Sequence, residues 1–250
     1  MEKQTGVASV TFRSLAPYEI IKLARQAGLD GVEWGGDVHV PCGAYQKAEE
    51  TAHATREAGL TVLSYGSYFR LGLQRAEELE MYLKTAKTLG APIMRIWCGT
   101  RSSAMYGKEE AALLLAQAKQ AAALAEKYGI VLGLECHDST ITDGYAFARS
   151  FLESVDSPFF KTYWQPNRFR DFSYNLEALK ALAPYIVTVH TQRWEGDVRL
   201  SLHGYMDEWR TYCGVLEQAG AAHRFILEFL PEERAECLRS EAEALRALLK

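Results

Sequence analysis

Five times along the chain, a helix-forming stretch rich in Ala, Leu and charged residues ends at a glycine and passes almost at once into a run of strand length. The five are ARQAGLDGVEW, TREAGLTVLSYG, AKTLGAPIMRIWCG, AEKYGIVLGLECH and LEQAGAAHRFILEF. Gly28, Gly59, Gly90, Gly129 and Gly220 stand where a helix must stop, and only glycine enters the left-handed conformation of such a corner without a steric penalty. Three more strand candidates, VASVTF at 7–12, FFKTYWQP at 159–166 and YIVTVH at 185–190, complete the series. Eight strands alternating with helices predict parallel crossovers, and in 250 residues they predict an α/β fold of the (β/α)8 TIM-barrel type. An open doubly wound sheet is the rival, but the first strand runs into TFRSLAPYE without the Gly-rich phosphate turn of that class. No linker or change of composition divides the chain, so residues 1–250 are expected to form one domain.

The charge balance narrows the function. With 28 basic and 32 acidic residues, a net charge of −4 and no basic block, the chain is not expected to bind nucleic acid. It has no apolar run of membrane-spanning length and MEKQTGVASVTF lacks a signal-peptide core, so a cytoplasmic protein with no membrane partner is expected. Its five scattered cysteines form neither a disulfide framework nor a zinc motif.

In a barrel of this kind chemistry sits at the carboxyl ends of the strands. There the fifth strand ends in Glu135, the sixth in Gln165, the seventh in His190 and the eighth in Glu228. Side chains alternate along a strand, so Glu135 shares a face with Gly133 and His137, Tyr163 with Gln165, Thr188 with His190, and Ile226 with Glu228. If these faces point inward, four donors converge and a divalent cation is the simplest neutraliser. Mn, Mg or Co suits such an oxygen-rich set, and Zn is compatible with it. A plainer reading is also open, in which the glutamates pair with arginines such as Arg95 or Arg193 and His190 is a satisfied core histidine.

Trp34, Tyr65, Trp97, Trp164 and Trp194 fall at or just after strand ends, where aromatic faces would pack on the C–H faces of a sugar or polyol. Glu33, Asp37 and His39 could accept hydroxyls, and Arg193 or Arg199 could hold an anion or simply pair with Glu195 or Asp197.

From PYEIIKLARQAGLDGVEW through ETAHATREAGLTVLSYG, LKTAKTLGAPIMRIWCG and GIVLGLECH to FILEF, the chain resembles the xylose isomerase-like barrel family. That family includes sugar isomerases and epimerases, inosose dehydratase and endonuclease IV. The resemblance implies metal ligands at Glu135, Gln165, His190 and Glu228, with Glu135 and Glu228 doubling as the acid/base pair of an enediolate mechanism. It matches Arg199 to an arginine the family carries after the seventh-strand histidine; His137 could orient substrate, relay a proton or make a structural hydrogen bond, and Trp34, Trp97, Trp194 and His39 are the further substrate-contact candidates at the mouth. Two departures stand out: Gln165 replaces an aspartate, and Arg168 stands where a histidine is common, against the histidine-rich site of the endonuclease branch. The expected function is therefore a metal-dependent isomerase or epimerase of a ketose, keto-polyol or sugar phosphate. An inosose-type dehydratase with the same site, or a non-catalytic sugar-binding barrel weakened in metal binding by Gln165, remains open. A homo-oligomer is expected only by family analogy.

Overall fold

The computed structural model describes residues 3–221 and 224–250. Eight parallel strands close into a barrel: β1 (Gln4–Ala8), β2 (Gly31–Gly35), β3 (Thr61–Leu71), β4 (Ile93–Cys98), β5 (Val131–Glu135), β6 (Phe160–Trp164), β7 (Ile186–Thr191) and, closing the ring against β1 and β7, β10 (Arg224–Leu227). Between β7 and β10 lies a short antiparallel hairpin, β8 (Trp194–Glu195) with β9 (Val198–Arg199), in a stretch the sequence reads as loop. The helices are α1 (Pro17–Gln26), α2 (Tyr45–Glu57), α3 (Ala76–Leu89), α4 (Lys108–Tyr128), α5 (Tyr145–Val155), α6 (Phe172–Leu182), α7 (Met206–Gln218) and α8 (Leu238–Leu248). Among the described helices, none is long and apolar enough to cross a membrane.

The expected architecture is present, including the corners. All five module glycines have positive φ, from 61° at Gly220 to 78° at Gly90. The first strand is displaced: VASVTF at 7–12 is expected to be extended, whereas the strand is Gln4–Ala8 and Ser9–Phe12 form a 3-10 turn. The Ser9 hydroxyl accepts the Gly35 backbone N–H at 2.8 Å, which draws this turn across the end of β2 instead of letting β1 run on.

Alternation along the strands separates two cores. Outward residues such as Val32, Trp34, Met94, Leu132, Leu134, Trp164 and Val189 pack against the helices in one large cluster. Inside the barrel the apolar plug is small: Ala8, Val10, Leu63 and Ile226, with Phe229 against it. Above the plug the inward positions are polar, so the barrel mouth is where charge is placed.

Close packing of the inner layer depends on Gly133. A Cβ there would lie 2.3 Å from the Tyr163 ring and 3.4 Å from Ile93. Substituting Gly133→Ala is therefore expected to cost about 1–3 kcal/mol, as overpacked cores do, and to shift the denaturant midpoint without changing the m-value; an unchanged midpoint would show that Tyr163 moves freely.

Candidate active site

Four side chains from four strands meet in the inner layer: Glu33 of β2, Arg95 of β4, Glu135 at the end of β5 and His190 of β7; Glu228, directly after β10, joins them. Every one is buried. The Arg95 guanidinium lies among the carboxylates, with Nε 3.3 Å from Glu135 Oε2 and Nη1 3.3 Å from Glu228 Oε1 and 3.8 Å from Glu33 Oε1. Glu33 in turn accepts hydrogen bonds from the Ser64 hydroxyl at 2.6 Å and the Tyr163 hydroxyl at 2.9 Å. Trp97 Nε1–H donates to Glu135 Oε2 at 2.5 Å.

His190 is held at one nitrogen and faces carboxylates with the other. Its Nε2–H donates to Glu33 Oε1 at 3.2 Å. Its Nδ1 faces Glu228 Oε2 at 3.2 Å and Glu135 Oε1 at 3.6 Å, yet this buried atom completes no hydrogen bond. A neutral imidazole with its proton on Nε2 would aim the Nδ1 lone pair at two carboxylates, which is repulsive unless a positive charge lies between them. With the imidazole neutral, three carboxylates against one guanidinium leave two negative charges, the charge of one dication; without an ion, protonation of His190 takes up part of that excess. Glu135, His190 and Glu228 each present a ligand atom within 4.8 Å of the others. The donor set and the charge thus suit a divalent ion at Nδ1, with Glu33 acting on the far side of the ring as the carboxylate that orients a ligating histidine.

Gln165 is not placed as the sequence implies. Its Nε2 donates to Glu135 Oε1 at 3.2 Å and to the Cys136 carbonyl at 3.1 Å, while its Oε1 accepts from Gln192 Nε2 at 2.6 Å. The amide turns its donor end toward the carboxylates and its carbonyl away, so it cannot coordinate an ion beside Glu135 in this arrangement.

Above the cluster opens a cavity of about 380 Å³, the size of a small-molecule site. Of the sequence-predicted contacts, Trp97, His137 and Trp194 line it, together with Tyr68, Arg168 and Phe229. Three expected contacts lie elsewhere. Trp34 sits next to Glu33 in β2 and so points outward, where its Nε1–H donates to Thr55 Oγ1 of α2. His39 is buried against Trp34, and its Nε2 bonds the Leu15 carbonyl. Arg199 stands behind the rim: it covers Trp194 and Phe229, pairs with Glu233 at 2.8 Å and does not line the cavity. Arg95 pairs with Glu135 and Glu228, as the plainer sequence reading allowed, and it reaches Glu33 as well; Gln192 is the residue that sequence reasoning left unassigned. Alternation along β4, which puts Arg95 on the same face as Trp97, is the signal for the arginine's place in the cluster.

The family model described as xylose isomerase-like TIM barrel matches residues 21–248. The chain belongs to this family. Solved structures with the same fold include the IolI protein with a bound zinc atom (18% identity, 98% of each chain covered, TM-score 0.79). They also include the probable 3-DHS dehydratase AsbF from Bacillus anthracis (17% identity, 98% of each chain, TM-score 0.77). D-psicose 3-epimerase with D-fructose is a third (14% identity, 98% of this chain and 99% of that one, TM-score 0.75). No curated protein matches in sequence.

In this xylose isomerase-like barrel the electrostatics follow from the cluster. Burial alone would raise the Glu33 carboxyl, but His190 and Arg95 hold it down at about 2. Burial likewise opposes ionisation of Glu135, and Arg95, then His190, outweigh it and keep that carboxyl well below its ordinary range. His190 is raised well above its usual value: burial lowers it, and Glu228 and Glu33 more than reverse the effect. A carboxylate whose folded value is depressed stabilises the protein above its ordinary value of 4.5 and loses that contribution as pH falls through about 2. Glu33→Gln is therefore expected to cost about 3–5 kcal/mol near neutrality, as a broken buried ion pair does, with the deficit shrinking as pH falls from 4.5 toward 2. Urea unfolding of both proteins across that range checks it; a deficit independent of pH would mean that Glu33 is not ionised in the fold.

Proposed function

We propose that this protein is a divalent-cation-dependent isomerase or epimerase acting on a ketose or keto-polyol by proton transfer beside a carbonyl. The observation that carries the reading is the pair Glu135 and Glu228: two buried carboxylates on either side of His190 Nδ1, at the floor of a cavity walled by Trp97 and Trp194. Glu135, His190 and Glu228 would hold the ion. When bound, such an ion supplies the electrophile that acidifies a C–H next to a carbonyl.

The chain's own residues account for the rest. Arg95 keeps Glu135 ionised and so able to accept a proton. Trp97 Nε1–H, donating to Glu135 Oε2, leaves Oε1 as the atom on the His190 side. Glu228, directly after β10, offers the second carboxylate through which a proton would return. His137, half-exposed at the cavity wall with its Nδ1 on the Asp138 carbonyl, would meet substrate hydroxyls. One solved neighbour named above is a D-psicose 3-epimerase with D-fructose and another a probable 3-DHS dehydratase, and this supports a small-molecule, sugar-like substrate here.

Elemental analysis of protein purified without chelator, alongside Glu135→Gln/Glu228→Gln, is the first test. Near-stoichiometric Mn, Co, Mg or Zn in the wild type and its loss in a folded double variant are expected. Incubation of ketoses and keto-inositols in D2O should then place deuterium at the carbon beside the carbonyl; loss of water instead would reassign the reaction to a dehydratase. Protein that takes up none of the four ions would sink the proposal.

A further inference from the structure

The orientation of Gln165 is enforced from outside the charge cluster. Trp194 Nε1–H donates to Gln192 Oε1 at 2.8 Å, Gln192 Nε2 donates to Gln165 Oε1 at 2.6 Å, and Gln165 Nε2 donates to Glu135 Oε1 at 3.2 Å and the Cys136 carbonyl at 3.1 Å. The two ends of this chain fix its direction. An indole nitrogen can only donate, whereas an ionised carboxylate and a peptide carbonyl can only accept. Between such ends two carboxamides have one arrangement that satisfies every contact. Turning both over would set donor against donor at Trp194, and acceptor against acceptor at Glu135 and Cys136. In this part-buried setting each mismatch carries the cost of an unmade hydrogen bond.

We propose that Gln165 is a positioning residue for Glu135, locked by Trp194 through Gln192, and that the cation centre consequently has three protein ligands instead of four. Gln165 holds Glu135 Oε1 on the His190 side, while Trp97 and Arg95 hold Oε2. The coordination position that a fourth side chain would fill is left to water or substrate. Trp194 belongs to the β8–β9 hairpin and lines the cavity. The ring that meets substrate therefore also sets the hydrogen-bond direction at the catalytic carboxylate. The ligand count rests on the cation reading above; the relay itself does not.

The test titrates Mn2+ into wild type, Gln192→Leu and Trp194→Phe by calorimetry and records 1H–15N spectra of the metal-free proteins. Gln192→Leu removes the middle link, and Trp194→Phe keeps a ring and removes only the N–H. Neither residue can reach the ion, so a purely structural role predicts unchanged affinity. The relay predicts a loss of roughly tenfold in Gln192→Leu, the scale seen when partners of metal ligands are removed, and a smaller loss in Trp194→Phe, with thermal midpoints close to wild type. The Gln165 side-chain amide signals should shift in both variants. Unchanged affinity together with unmoved Gln165 signals would overturn the relay. A crystal structure of the Mn2+-loaded protein with Gln165 Oε1 at about 2 Å from the ion, a coordinating distance, would overturn the three-ligand assignment. Should the wild type bind no dication, the proposed function and the ligand count fail together, and the Gln165 signals still decide the relay.

Discussion

The buried guanidinium of Arg95 is the interaction on which the site depends. It touches carboxylates from β2, from the end of β5 and from the residue after β10, side chains separated by up to 195 positions in the chain (228 − 33). Without it three buried carboxylates would face one another in a medium that solvates them poorly, and at least one would take up a proton. With it, Glu33 and Glu135 stay ionised despite burial. An ion pair of this kind adds little to net stability compared with a well-packed apolar core. What it secures here is a set of charges at fixed positions, assembled only when the barrel closes.

The barrel supplies the positions through a simple division. Its outer face carries most of the apolar burial, against eight helices, so the inner face is free to hold a small plug and a polar layer above it. Gly133 belongs to that economy: the space it leaves open admits the Tyr163 ring, whose hydroxyl reaches Glu33 across the barrel. Glu33 then orients His190, and His190 turns Nδ1 toward Glu135 and Glu228. Each contact is a short link, and together they transmit the shape of the core to the place where a proton would move.

Much of this could be read along the chain. The helix–glycine–strand module announces a barrel because its period and its stop residues are local properties. The inward placement of Glu135, His190 and Glu228 follows from strand alternation, as does the partnership of Arg95 with Trp97 on one face. The same rule, applied to GVEW, separates Glu33 from Trp34: one turns into the barrel and the other under α2. Trp34 looks like a mouth residue only while position along a strand is considered without its face, and His39, in the turn after β2, is held instead against the Leu15 carbonyl. Trp194 reaches the cavity by way of a two-residue hairpin, too short to leave a periodic signal.

Sequence alone therefore determined the fold class, the end of the barrel where polar groups gather and most of the ionisable groups there, because periodicity, glycine corners and residue type are legible one segment at a time. The tertiary structure decided how those groups are paired. Whether Gln165 offers a carbonyl or an N–H depends on an indole 29 residues away (194 − 165) and on a peptide carbonyl of the neighbouring strand end. Whether the glutamates face a guanidinium depends on strands β2, β4, β5 and the end of β10 closing into one ring. Hydrogen-bond direction and charge compensation are properties of atoms brought together in space, and no local pattern encodes them.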